Sequence, residues 1–126
     1  MTKVEARARL REAHTYLDAA ELFSAGGSMS ENKVAGSNAI LAGIAGADAI
    51  CAIVLGERSA GDDHAQAVDL LRKATSPSKK TSNCLARLLT DKTPVQYGAD
   101  SLSSNDLANL IRWAKEIVAE ADARSL

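Results

Sequence analysis

The chain has 126 residues, the size of one ordinary domain, and 46% of them are hydrophobic, enough for a single core and too few for two. Lys and Arg number 15 against 16 Asp and Glu, a formal net charge of −1, which excludes the uniformly basic surface of a protein that coats nucleic acid. Aromatic residues make up only 3%, period-two alternation is missing and no Asn-Gly or Asp-Gly hairpin turn occurs, so the chain reads as all-α, one helical-bundle domain over residues 1–126.

The first helix opens at the capping box Thr2-x-x-Glu5 and stops at Gly26-Gly27. Leu10, Ala13, Leu17 and Ala20 recur at offsets of three and four and form its inner stripe, with Val4 and Phe23 near it. Arg7, Arg9, Arg11, Glu12 and Asp18 fall mostly on other faces, so basic charge gathers on the first half. Ser28 or Ser30 caps a longer second helix, about Glu31 to Leu55, that ends at Gly56. Gly36, Ala39, Gly43, Ala47 and Ile50 give that helix a stripe with almost no side chain, while Ile40, Leu41, Ile44, Ile53 and Val54 fill other faces. Such a helix is either the centre of the domain or buried by a second subunit. Its apolar run, Ala39 to Leu55, includes Asp48, two glycines and six alanines, and is read as a core helix because a membrane span needs about 20 strongly apolar residues.

Asp62 or Asp63 caps a third helix, roughly His64 to Ala74, with Ala67, Leu70, Leu71 and Ala74 inward, and Pro77 stops it. The fourth starts near Thr81, carries Leu85, Leu88 and Leu89 inward and is ended or kinked at Pro94. A second capping box, Ser103-x-x-Asp106, opens the last helix, whose stripe runs Leu107, Leu110, Ile111, Ala114, Ile117, Val118 and Ala121. Four or five helices joined by short connections give an up-and-down bundle. Lys3, Glu5, Arg7, Arg9, Arg11 and Glu12 interrupt the first residues, so no secretory leader is read and the expected location is cytoplasmic, with Cys51 and Cys84 as reduced thiols.

Chemistry concentrates in "GERSAGDDH", residues 56 to 64. Gly56 and Gly61 break the helix there, so Arg58 hangs from the end of one helix and His64 opens the next, both at the same bundle end. A guanidinium matches a phosphate bidentately, and an imidazole with a pKa of about 6.5 takes and returns a proton near neutrality. That pair is the minimum for metal-independent RNA cleavage; a surface arginine beside a helix-starting histidine is the plainer alternative. Asp48, inside "AGADAICAIV", needs a cation or several donors once buried, with His64, Lys92 and Tyr97 as candidates. Asn38 reads as a satisfied core amide, His14 as a helix-surface residue, and Trp113 as core or interface. Arg72, Lys73, Lys79, Lys80, Arg87 and Lys92 form either a phosphate-attracting patch or a solvated face. No cofactor is called for, and no metal set is seen beside either cysteine.

The stretches "SNAILAGIAGADAICAIVLGERSAGDDHAQAVDLLRKA", "LARLLTDKTPVQYG" and "LSSNDLANLIRWAKEIVAEA" together resemble a HEPN-type domain, of the small stand-alone kind found in actinobacteria, over roughly residues 30 to 121. The resemblance implies an α-bundle that commonly dimerises. In many members an Arg and a His with four to six residues between them meet their copies in a dimer cleft and cleave RNA, and Arg58 and His64, with five between, have that spacing. Other members are non-catalytic modules that bind, neutralise toxins or accompany nucleotidyltransferases. Ser59 after the arginine, Asp62 and Asp63 beside the histidine, and the early position of the motif depart from the nuclease pattern. The expectation is therefore a homodimeric, non-catalytic module for a nucleotide, RNA or a partner protein such as an antitoxin or nucleotidyltransferase, with no membrane contact. The alternative is a toxin-like ribonuclease using Arg58 and His64, with Asp48, Lys92 and Tyr97 in support.

Overall fold

The computed structural model describes residues 1–59, 63–90 and 102–125. Among them are five helices and no strand: α1 (Lys3–Ser24), α2 (Met29–Leu55), α3 (His64–Thr75), α4 (Lys80–Thr90) and α5 (Ser104–Arg124). The all-helical bundle expected from the sequence is present.

Capping sets most of the helix starts. Thr2 and Glu5 form the full reciprocal box, and Ser28, not Ser30, accepts the Glu31 N–H to start α2 at Met29. Asp63 caps α3. Ser103 accepts the Asp106 N–H, but no return bond from Asp106 completes a second box, since an aspartate is one methylene shorter than the glutamate that usually reaches back. Gly56, at φ 75°, ends α2 in the left-handed conformation that a side chain would resist.

The α1–α2 turn makes an antiparallel hairpin in which residue 9 faces residue 48. Between α1 and α5, His14 meets Asp122 while Glu21 meets Lys115, so this pair is antiparallel as well. It follows that α2 and α5 run the same way, and α2 touches all four other helices. Small residues of α2 are used inside the chain: a Cβ on Gly43, of the expected stripe, would come 2.5 Å from Leu88 Cδ1, and one on Gly46, beside it, would come 3.1 Å from Ile117 Cγ2. These glycines let α4 and α5 approach α2 closely.

Two readings of surface and core change. By length and composition α2 would reach across a bilayer, so its run is not too short as the sequence suggested; most of its apolar stretch is nevertheless buried against the other helices. On α1, Ala6 joins the inner stripe, whereas Val4 is 72% exposed because it lies off the face opposed to α2. Cys51 is buried and Cys84 half-buried, both as free thiols.

Candidate functional site

The site grows from one polar residue in an apolar helix. Asp48 sits among Ala45, Ala47, Ala49 and Cys51, all buried, and its side chain is only 15% exposed. A carboxylate there must be paired. The hairpin register supplies the partner from α1: Arg9 donates from Nε at 3.0 Å and lies with Nη2 at 2.9 Å from Asp48 Oδ2, while its Nη1 reaches Glu12 at 2.7 Å. His64, expected as a partner, makes no hydrogen bond to Asp48 among the described residues. Lys92 and Tyr97 lie outside the described residues.

Arg9 escaped the sequence reading because it was grouped with Arg7 and Arg11 on the solvated face. The signal was present: Ala6, Arg9 and Ala13 are spaced at three and four, so Arg9 borders the buried stripe.

Beyond Leu55 the chain bends at Gly56 and brings Arg58 back over Asp48, with Nη1 3.9 Å from the same Oδ2 that Arg9 holds. Asp63 then caps α3 through the Gln66 N–H, placing His64 at its first position. Arg9, Asp48, Arg58, Ser59, Asp63 and His64 all line one cleft of about 660 Å³. Its apolar wall includes Ile44 and Cys51 of α2 and Leu85 and Leu89 of α4. The structure thus brings three of the expected site residues, Asp48, Arg58 and His64, to one place. The Ser59 hydroxyl is buried and finds no hydrogen-bond partner among the described residues.

Burial pushes the Asp48 carboxyl above its usual 3.8, and the hydrogen bond and charge of Arg9, then the charge of Arg58, pull it down without cancelling that cost. Burial also works against the Arg9 cation, but hydrogen bonds to Glu12 and Asp48 outweigh it and hold the guanidinium charged more firmly than in water. The two ends of the pair differ because Arg9 has two carboxylates and Asp48 is the more deeply placed. Burial, with the charges of Asp48 and Glu57, drives the Cys51 thiol up to about 12, so it is no nucleophile despite lining the cleft.

The other singled-out residues have local roles. Asn38 Nδ2 donates to Val34 O at 2.9 Å, His14 lies 2.8 Å from Asp122, and Arg87 sits 5.8 Å from the centre of the half-buried Trp113 ring. Arg72 pairs with Asp69 and Lys80 with Glu116, so part of the basic set is already neutralised. Among the described residues no group of three or more His, Cys, Asp or Glu side chains could hold a metal ion.

Fold and site together define an all-helical protein with an arginine- and histidine-bearing cleft at one end of its central helix. No protein-family model matches the chain, and no curated protein matches its sequence.

Proposed function

We propose that this chain is a HEPN-like binding module whose cleft at the C-terminal end of α2 takes a nucleotide, with Arg58 on the phosphate. One observation carries the reading. Arg9 occupies Asp48, so Arg58 is left at 3.9 Å, half-exposed, with its fork of donors at the cleft mouth. Asp48, Glu57 and Asp63 in the lining offset Arg9, Arg58 and the Met1 ammonium, a balance that favours one phosphate accompanied by hydroxyl or amino donors over a long polyanion.

A test is calorimetric titration of the four nucleoside monophosphates into the wild type and Arg58→Ala. The expected result is saturable binding of at least one, lost by tenfold or more in the variant, since a charge-assisted bidentate contact is worth about 1.5–3 kcal/mol. Equal binding by both proteins, or none by either, would overturn the assignment.

The shared cleft of Arg58 and His64 favours a second reading, a metal-independent ribonuclease. The 2′-oxygen would attack phosphorus as His64 takes its proton, the 5′-oxygen would leave as a proton is returned to it, and Arg58 would face the charged phosphorane. One imidazole cannot be base and acid in the same step, so this chemistry draws on a second copy of the chain. It requires RNA cleavage in the presence of a chelator, loss of cleavage in His64→Ala, and a dimeric mass by light scattering.

A further inference from the structure

A second cleft of about 660 Å³ lies at the opposite end of α2, between the last turn of α1 and the first turns of α2 and α5. Leu107, Ala108 and Ile111 of α5 form an apolar wall, and Asn32 and Arg112 are among its polar lining residues. Two features distinguish it from an ordinary surface groove. Asn32 is 9% exposed, and no described residue hydrogen-bonds its side-chain amide, although its backbone is satisfied by Ser28. Its side-chain oxygen and nitrogen still reach solvent through the cleft, so a ligand there can take the place of water on them.

The second feature is charge. Glu21 and Lys115 neutralise each other across the rim at 3.3 Å, while Arg112 has no ion-pair partner among the described residues. The lining is therefore left with one uncompensated positive charge beside an apolar wall. The peptide dipoles at the beginnings of α2 and α5 add to the positive potential. The volume is in the range of sites that enclose small organic ligands, about 300–1,000 Å³.

We propose that this cleft binds a small amphipathic carboxylate, its charge on Arg112 and the Asn32 amide and its apolar body along Leu107, Ala108 and Ile111. A guanidinium and an amide N–H both donate, which matches an acceptor-only carboxylate and not an ammonium. The site shares no residue with the cleft of Arg58 and His64, so the two stand or fall separately.

The probe is octanoate, titrated into isotope-labelled full-length protein and followed by amide chemical shifts, with octylamine and octanol as controls. Octanoate should give saturable shifts at Asn32, Leu107 and Ile111, at least tenfold tighter than either control. Arg112→Gln, an exposed substitution that leaves the core untouched, should remove that preference while the spectrum of the rest of the bundle stays unchanged. Asn32→Leu should weaken octanoate independently of Arg112. Equal binding of octanoate and octanol, shifts that never saturate, or full octanoate affinity in Arg112→Gln would each overturn the proposal.

Discussion

Replacing Arg9 by Met keeps most of the aliphatic stem against α2 and removes the only described cation within 3 Å of Asp48. For a fully buried pair, deleting one partner costs about 3–5 kcal/mol, because the other charge is left unpaired in the interior. Here Asp48 keeps 15% exposure and Arg58, already 3.9 Å away, can move inward, so the expected loss is about 2 kcal/mol near pH 7. Losing Arg9–Glu12 adds little, since Glu12 is 54% exposed.

The pH dependence has a definite sign. Asp48 has a folded pKa raised above 3.8, so the folded state takes up its proton at higher pH than the unfolded chain. Its contribution to stability grows as pH falls through the folded value and is lost as pH rises through it. Without Arg9, whose hydrogen bond and charge lower the Asp48 pKa, that value climbs further and the window extends toward neutrality. The difference between wild type and Arg9→Met, read by urea unfolding, should therefore shrink from about pH 7 to about pH 5, and Arg9→Met with Asp48→Asn should recover most of the loss. A penalty below about 0.5 kcal/mol, the same at both pH values and untouched by Asp48→Asn, would refute the assignment of Arg9 as the compensating charge.

Two further predictions rest on the packing of α2. Gly43→Ala should destabilise by about 1 kcal/mol despite the better helix propensity of alanine, because the new Cβ meets a fully buried Leu88; Leu88→Val in the same chain should return part of it, as thermal melts of the four proteins would show. Cys51 should resist a thiol reagent in the folded protein near pH 8 and react only on unfolding, consistent with a thiol pushed up to about 12. Fast native labelling in a Cys84→Ser background would contradict its burial.

Much of the bundle was legible because local chemistry and burial agree along the chain. Thr2, Ser28, Asp63 and Ser103 mark helix starts by side-chain acceptors that satisfy specific backbone N–H groups, information held within a few adjacent residues. The stripes of α1 and α5 follow from their 3.6-residue period. What α2 packs against was not legible. An apolar helix with small residues on one side fits equally against a second subunit or its own chain, and only the placement of Leu88 and Ile117 over Gly43 and Gly46 decides that those small residues are used internally.

The candidate site divides along the same line. That Asp48 requires a charged partner followed from its apolar neighbours, and that Arg58 and His64 converge followed from Gly56, which are both local arguments. Which cation satisfies Asp48 depends on the hairpin register, which residue 9 does not announce by itself. The consequence reaches the function. Had His64 been the partner, Asp48 would have oriented an imidazole in the manner of an acid–base device. Because Arg9 takes that carboxylate, Asp48 instead fixes α1 to α2, with Arg58 held only at 3.9 Å and His64 making no hydrogen bond to it among the described residues. An Arg9 that locks the scaffold and an Arg58 proposed to face a nucleotide should separate in experiment. Arg58→Ala should weaken the proposed nucleotide binding with stability little changed, because its 53% exposed side chain contributes little to the fold, whereas Arg9→Met with Asp48→Asn, which leaves no carboxylate to draw Arg58 inward, should keep nucleotide affinity per folded molecule little changed.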